Sequence, residues 1–155
     1  MLIYIGADHR GFALKEVIKS FIGSVGYEVV DMGNEKLDPN DDYPDFAIDV
    51  AKEVSKDPSL GNGILLCGSG VGMDVVANKF RNVRSSLCFS VDQAMAARND
   101  DNANVLVLPA DFLDEDKAKK IVSVWIQTKF EDIPKRNRRL KKIEELELKT
   151  TNYFE

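Results

Sequence analysis

The chain has 155 residues, of which 44% are hydrophobic and 30% are charged, a composition typical of one globular domain with a sizeable core. Its net charge of -5 argues against nucleic-acid binding, because no strong cationic field covers the chain. No apolar run approaches the roughly 18 residues of a membrane span, and no secretory signal is visible at the N-terminus. We therefore expect a cytoplasmic protein without a membrane partner.

The metal-binding and thiol residues are few. The chain contains two cysteines, Cys67 and Cys88, and one histidine, His9. These residues are too few for a Cys/His zinc site at the usual spacings or for a disulfide framework. We therefore expect no metal and two reduced thiols.

Apolar periodicity predicts strands and helices that alternate along the chain. Strands are predicted over 2–7, 27–31, 64–67, 84–88 and 104–108. Helices are predicted over 14–25, 45–56, 71–76, 91–99, 114–129 and 135–148. One domain is expected over 1–149, with a frayed tail over 150–155.

This alternation predicts an α/β fold, specifically a single-domain, Rossmann-like three-layer sandwich. Its five-stranded parallel sheet would carry helices on both faces, followed by a C-terminal helix. Ligands of such sheets bind beyond the carboxyl ends of the strands. We expect four segments to meet at that edge, namely Asp8-His9, the loop at Tyr43, the stretch 67–72 and the loop 99–104.

The stretch 67–72 is the strongest candidate for a site. Cys67 ends a predicted strand, Ser69 follows, and Gly68, Gly70 and Gly72 let the backbone approach a ligand closely before a helix begins. A helix N-terminus presents unpaired N–H groups that stabilise negative charge. It can also lower the pKa of a neighbouring thiol. The stretch thus offers a base or nucleophile beside an anion cradle.

Each candidate also has a structural interpretation. Cys67 can be a small buried hydrophobe, as we interpret Cys88 to be. Asp8 can cap a helix with His9 on the surface, and Tyr43 can serve in packing. The run of basic residues over 135–142 can be a solvated helix face or a local anion site. The glycine spacing fits neither a dinucleotide nor a nucleoside-triphosphate loop, so no nucleotide cofactor is expected.

Several motifs spread over nearly the whole chain belong together. They are Gly6-Ala7-Asp8-His9, Asp42-Tyr43-Pro44-Asp45-Phe46, Gly63-Ile-Leu-Leu-Cys67-Gly-Ser69-Gly70-Val-Gly72-Met73, Ala77-Asn78-Lys79, Val83-Arg84-Ser85 and Asn102-Ala103-Asn104-Val105-Leu106. In these motifs the chain resembles the ribose-5-phosphate isomerase B family, which also includes the galactose-6-phosphate isomerase subunits. The cysteine loop is the most specific of them.

The resemblance implies a cofactor-free aldose–ketose isomerase of a sugar phosphate, with ribose 5-phosphate and ribulose 5-phosphate as the first expectation. Cys67, as thiolate, would move a proton between two carbons through an enediolate. Ser69 would hydrogen-bond the thiolate or a substrate oxygen. The enediolate would be held by the backbone N–H groups of Gly68, Gly70, Val71 and Gly72.

The resemblance also implies residues for substrate binding and a subunit arrangement. Asp8, His9 and Tyr43 would hold sugar hydroxyls or phosphate. Asn102 or a neighbour in its loop, often from the partner subunit, would complete the pocket. A homodimer or homotetramer with the site at the subunit interface is therefore expected.

Two acidic residues depart from the family pattern. Asp100 stands where many members carry a ring-opening histidine, and we assign it that role as a hypothesis, provided that burial keeps its carboxyl protonated. Asp111 stands where an arginine usually helps to bind phosphate, and an acid there would repel phosphate. Lys135 and Arg139 still match two cationic phosphate positions, and Arg136 or Arg138 could replace what is lost.

Two interpretations of different classes follow. The intact cysteine loop favours an isomerase. Asp100 and Asp111 favour a non-catalytic or hetero-oligomeric member that binds a phosphorylated sugar, or an isomerase for another pentose or hexose phosphate. The sequence does not identify the sugar.

Overall fold

A computed structural model describes residues 1–152 as five strands, six α-helices and one short 3₁₀ turn. The strands are β1 (Leu2–Ala7), β2 (Glu28–Asp31), β3 (Gly61–Cys67), β4 (Ser85–Leu87) and β5 (Val105–Pro109). The helices are α1 (Phe12–Ser24), α2 (Tyr43–Lys56), α3 (Val71–Ala77), α4 (Val91–Asp101), α5 (Glu115–Gln127) and α6 (Pro134–Asn152). The 3₁₀ turn spans Ala110–Phe112. None of these helices is long and apolar enough to cross a membrane.

The five strands form one parallel sheet in the order β2-β1-β3-β5-β4. β3 lies at its centre, paired with β1 from Leu2↔Gly61 to Ala7↔Leu66 and with β5 from Gly63↔Val105 to Cys67↔Pro109. The predicted α/β class and parallel sheet are thus confirmed.

Two apolar layers cover the faces of the sheet. Because side chains of a strand alternate between faces, Ile64 and Leu66 pack toward α1, α4 and α5, whereas Leu65 and Cys67 pack toward α2 and α3. Trp125 of α5 is fully buried in the first layer. Cys67 therefore belongs to the same layer as the two helices that flank its own loop.

Several boundaries differ from the prediction. α2 begins at Tyr43 because Pro44 fits the first turn, where its missing N–H costs nothing. β4 is limited to three residues. α6 continues past Leu148 to Asn152, so Thr150 is helical. The rest of the expected frayed tail, residues 153–155, lies outside the described residues.

A buried ion pair ties α1 to the edge strand β2. The side chain of Lys15 is completely buried, and its Nζ lies 2.8 Å from Oδ1 of Asp31 and 2.6 Å from the carbonyl oxygen of Asn34. Lys19 Nζ lies 2.6 Å from Oδ2 of the same carboxylate. Burial raises the pKa of Asp31, but the hydrogen bonds from Lys15 and Lys19 outweigh it and hold the pKa below its usual value.

We expect Asp31→Ala to lower the free energy of unfolding by about 1.5–3 kcal/mol, because the buried ammonium of Lys15 would lose its charge-assisted hydrogen bonds to Asp31 and keep Glu16 at 3.4 Å and the carbonyl oxygen of Asn34. Chemical denaturation measures this loss. The matched control is Glu53→Ala, which removes an exposed pair with Lys56 and should cost less than about 1 kcal/mol. Equal losses in the two variants would contradict the prediction.

The same pair predicts a pH dependence. Since the pKa of Asp31 is lowered in the folded state, its stabilisation is present above the unfolded value of about 3.9 and is lost as the pH falls through the folded value. The difference in stability between the parent protein and Asp31→Ala should therefore shrink below about pH 4.

Candidate active site

Cys67 lies at the carboxyl end of the central strand, and only 5% of its surface is exposed. The N–H of Gly70 donates a hydrogen bond to its Sγ at 3.2 Å. Gly70 has φ +79° and packs against the side chain of Leu87, so a Cβ would both strain the backbone and collide. Glycine at this position therefore allows the chain to turn back over the sulfur before α3 begins.

The environment of the Cys67 thiol is less activating than the sequence suggested. Burial raises its pKa, and the hydrogen bonds from the N–H groups of Met73 and Gly70 only partly oppose this effect. The prediction that the helix terminus lowers the pKa of this thiol toward neutrality is therefore wrong. The two N–H groups still stabilise the thiolate once it forms.

Asp8 follows β1 and is 5% exposed. Its Oδ1 accepts hydrogen bonds from the N–H groups of Arg10 and Gly11, both at 3.0 Å. The N-cap of α1 is Gly11, not Asp8, so Asp8 closes the turn that precedes the helix. Burial raises the pKa of this carboxyl despite those two bonds. Asp8 and Cys67 are thus both buried titratable groups at the same edge of the sheet.

His9 is paired with Asp41, a residue that sequence reasoning missed. The ring Nδ1 lies 2.7 Å from Oδ1 of Asp41, and the backbone N–H of His9 donates to the same oxygen at 3.0 Å. The hydrogen bond to Asp41 raises the pKa of His9. For Asp41, burial raises the pKa but the hydrogen bonds from His9 outweigh it, so that its pKa is lowered. The loop 33–42 offered several acidic residues and no pattern that singled out this one.

Tyr43 packs against the cysteine loop, and Ser69 lies on the exposed side of that loop. The ring of Tyr43 covers Gly72, where an added Cβ would stand 2.6 Å from ring carbons Cε2 and Cζ. Ser69 is exposed, and its Oγ accepts the N–H of Val71 at 3.4 Å. Two N–H groups of the proposed anion cradle, those of Gly70 and Val71, are therefore engaged within the loop itself. The assigned roles of Gly68, Gly70, Val71 and Gly72 toward an enediolate stay predictions.

The loop 99–104 does not lie at the same edge as Cys67. α4 connects the end of β4 to the start of the parallel strand β5, so its last turn and Asn102 lie beside Val105 at the amino edge. Cys67, in contrast, pairs with Pro109 at the other end of β5. Four residues of strand separate the two positions, or about 13 Å. The prediction that this loop lies at the carboxyl edge with Cys67 is wrong, because a loop that precedes a strand cannot lie at that strand's carboxyl end.

Asp100 and the basic helix α6 form a separate cluster. The carboxylate of Asp100 pairs with the guanidinium of Arg136, which also pairs with Glu131. Lys135 and Arg139, the two predicted phosphate ligands, are exposed on the first turns of α6. Asn102 has φ +48° and caps α4, and its carbonyl oxygen accepts the Nε–H of Arg84 at 3.0 Å. The predicted site residues therefore fall into two groups at different places on one chain.

Asp111 lies at the edge that carries Cys67. It belongs to the turn after β5, and its N–H donates to the carbonyl oxygen of Gly68 at 3.0 Å. Its carboxylate pairs with the guanidinium of Arg10. Arg10 was not among the candidate residues, since an arginine in the turn after β1 has no sequence signal of its own. Its charge offsets that of the acid expected to repel phosphate.

Among the described residues, one group of histidine and acidic side chains has ligand atoms close enough to hold a metal ion, namely Asp8, His9 and Asp41, all within 4.8 Å of one another. Oδ1 of Asp8 already accepts two backbone hydrogen bonds, and Nδ1 of His9 faces Asp41. These internal bonds account for the cluster, and we assign no metal to it.

Comparisons with known proteins identify similar chains. The family model described as Ribose/Galactose Isomerase matches residues 3–143. A probable ribose-5-phosphate isomerase B from Mycoplasma genitalium is 41% identical over 148 residues, which cover 96% of this chain and 97% of the relative. A D-erythrulose-4-phosphate isomerase from Pectobacterium atrosepticum is 37% identical over 129 residues, which cover 83% of this chain and 84% of the relative.

A solved structure is also similar over most of its length. The crystal structure of ribose-5-phosphate isomerase B from Mycoplasma genitalium with bound ribulose 5-phosphate superposes with a TM-score of 0.91 at 41% identity. The match covers 94% of this chain and 95% of that one. The family model over residues 3–143 and these similar proteins show that the chain belongs to the ribose/galactose isomerase family.

Proposed function

We propose that the protein interconverts ribose 5-phosphate and ribulose 5-phosphate without a cofactor. The observation that carries the proposal is the Cys67 loop, in which a buried thiol accepts a backbone hydrogen bond beside Asp8, His9 and Tyr43. A relative that is 41% identical binds ribulose 5-phosphate. The loop supplies a base, and the neighbouring polar groups supply contacts for a hydroxylated, anionic ligand.

The reaction needs one group that removes a proton from one carbon of the sugar and delivers it to the adjacent carbon. The thiolate of Cys67 takes the proton from the carbon beside the carbonyl group of the open-chain aldose, and an enediolate forms. The same proton, now on sulfur, is delivered to the adjacent carbon, while the hydroxyl proton moves from the oxygen of the second carbon to that of the first, which gives the ketose. The N–H groups of Gly70 and Met73 stabilise the thiolate, and no external oxidant or reductant is required.

The complete site requires a second copy of the chain. The group at the carboxyl edge holds Cys67, Asp8 and His9, whereas Asp100, Asn102 and the basic residues of α6 lie elsewhere on the chain. In a two-fold homodimer each group of one subunit can face the other group of its partner. This arrangement gives Lys135 and Arg139 a phosphate to bind. The condition of burial set for Asp100 as the ring-opening acid is not met, because its side chain is 42% exposed and pairs with Arg136.

A different sugar phosphate is the second candidate. One relative at 37% identity is a D-erythrulose-4-phosphate isomerase, so the family accommodates ketose phosphates of different length. A hetero-oligomeric or non-catalytic member would retain the fold and lack turnover alone.

The two free thiols suit a cytoplasmic location, where cysteines stay reduced.

We expect Cys67→Ala to reduce kcat for ribose 5-phosphate by about 10²- to 10⁴-fold, the usual contribution of a general base. Cys88→Ala is the matched control, since that thiol is buried elsewhere in the core, and it should keep its activity. Because burial raises the pKa of Cys67 and the thiolate is the active form, kcat/KM should still be rising above about pH 8.5. Cys67→Ala activity within tenfold of the parent protein would exclude Cys67 as the base.

A complementation experiment tests the shared site. Cys67→Ala and a double variant, Lys135→Gln with Arg139→Gln, should each have low kcat/KM. In heterodimers formed by mixing them, one of the two sites has every group intact, so random exchange restores about a quarter of the parent activity. Recovery indistinguishable from the sum of the two separate variants would show that each chain holds a complete site.

The pair of His9 and Asp41 predicts a pH effect on substrate binding. Its hydrogen bond to Asp41 raises the pKa of His9, so the imidazolium that favours a phosphate should persist above the ordinary value of about 6.5. Because the chain has one histidine, NMR titration can follow it directly. Asp41→Asn should lower that midpoint and make KM rise at a lower pH. An unchanged midpoint would contradict the pairing.

A further inference from the structure

Arg10 lies on the cysteine loop itself. A Cβ added to Gly68 would stand 2.5 Å from Nε and 2.7 Å from Cζ of Arg10, so the guanidinium covers the residue that follows Cys67. The absence of a side chain at Gly68 makes this position possible. Cys67 points into the layer of α2 and α3, and the guanidinium lies at the next residue along the chain.

Asp111 holds that guanidinium in place. Its carboxylate pairs with Nη2 of Arg10, and its backbone N–H is bonded to the carbonyl oxygen of Gly68. Oδ2 of Asp111 would stand 2.8 Å from the same added Cβ on Gly68. The ion pair is thus anchored at both ends, because Arg10 also donates its backbone N–H to the buried Asp8.

The Arg10 side chain can still accept a further anion. Its guanidinium has five N–H donors in a planar fork, and within residues 1–152 its hydrogen-bonded acceptor is Asp111. The side chain is 57% exposed. An arginine fork matches two oxygens of a phosphate group, which a lysine cannot do.

We propose that Arg10 binds the phosphate group of the sugar phosphate at the Cys67 site, with Asp111 as the residue that positions it. The inference rests on the proposed function. The reacting carbons lie over the sulfur and the loop N–H groups, and the phosphate at the far end of the sugar lies against the guanidinium at the carboxyl edge. The alternative is a surface ion pair that only neutralises Asp111.

Variants of Arg10 distinguish phosphate binding from a surface ion pair, because loss of phosphate binding raises KM and leaves kcat nearly unchanged. Arg10→Gln should raise KM for ribose 5-phosphate about ten- to a hundredfold, the effect of losing a hydrogen bond to a charged group. The inhibition constant of inorganic phosphate should rise in parallel, while kcat changes by less than about threefold. Arg10→Lys keeps the charge without the planar fork, so its KM and phosphate inhibition constant should lie between those of Arg10→Gln and the parent protein.

Asp111 provides a second test. In Arg10→Gln its carboxylate is left unpaired and repels the phosphate, so adding Asp111→Asn should recover part of the lost affinity. If Arg10 only neutralises Asp111, the double variant should instead equal the parent protein, which would overturn direct binding by Arg10. Asp111→Asn alone should raise KM and the inhibition constant of inorganic phosphate, because the Arg10 guanidinium loses the carboxylate that holds it. Values equal to those of the parent protein would overturn the positioning role of Asp111.

The controls keep the inference separate from the proposed reaction. Arg81→Gln removes an exposed arginine after α3 and should leave KM and phosphate inhibition unchanged. Calorimetric titration with inorganic phosphate needs no turnover, so it tests Arg10 even if ribose 5-phosphate is not the substrate. Equal phosphate affinity in Arg10→Gln and the parent protein would overturn the proposal, as would a loss of kcat alone.

Discussion

The position of one sulfur atom organises the active-site edge. Cys67 ends β3, the central strand, which is hydrogen-bonded on both sides. The loop that follows bends back so that the N–H of Gly70 reaches Sγ. This bend needs a positive φ at Gly70, which glycine adopts without strain. The neighbouring turns then close on this loop at other glycines: Tyr43 on Gly72 and Arg10 on Gly68. Side chains from two other parts of the chain can therefore pack on this loop, because its glycines have no side chains.

Burial at this edge has an electrostatic consequence. Cys67 and Asp8 both have raised pKa values, and for both the first cause is loss of solvent. A thiolate formed there must be stabilised by fixed dipoles and nearby positive charge rather than by water. The backbone N–H groups of Gly70 and Met73 supply the dipoles, and the charge of Arg10 acts in the same direction on the pKa of Cys67 but is the smallest of these effects. A weakly acidic thiol is also a stronger base once ionised, which suits proton abstraction from carbon.

The fold could be predicted because its determinants are local. Apolar runs marked the five strands and periodic stretches marked the helices, and the order of elements left few topologies open. The loop at Cys67 was predictable for the same reason, since cysteine and three glycines are contiguous in sequence. The placement of 99–104 failed on a topological point, because a loop before a strand and a loop after a strand lie at opposite edges of a parallel sheet.

Ion pairs between residues far apart in the chain could not be predicted from the sequence. His9 and Asp41 are 32 positions apart, and Arg10 and Asp111 are 101 apart. Each partner is a charged residue among many, so composition and spacing could not select it. The lowered pKa expected for Cys67 failed similarly, because the helix terminus was visible in the sequence while the depth of burial was not.

The two acidic departures from the family pattern have a common structural feature. Asp111 pairs with Arg10 and Asp100 pairs with Arg136, so each acid that departs from the pattern implied by the resemblance is matched by an arginine of the same chain. Residue by residue, the acids weaken the case for phosphate binding, as the sequence suggested. As a pair, Asp111 and Arg10 keep a guanidinium at the carboxyl edge. At the start of α6, Arg136 is shared between Asp100 and Glu131, so the cations that face solvent there include Lys135 and Arg139. A charge pattern is therefore better compared between relatives as pairs in space than position by position, since an acid can be introduced wherever an arginine arises within reach of it.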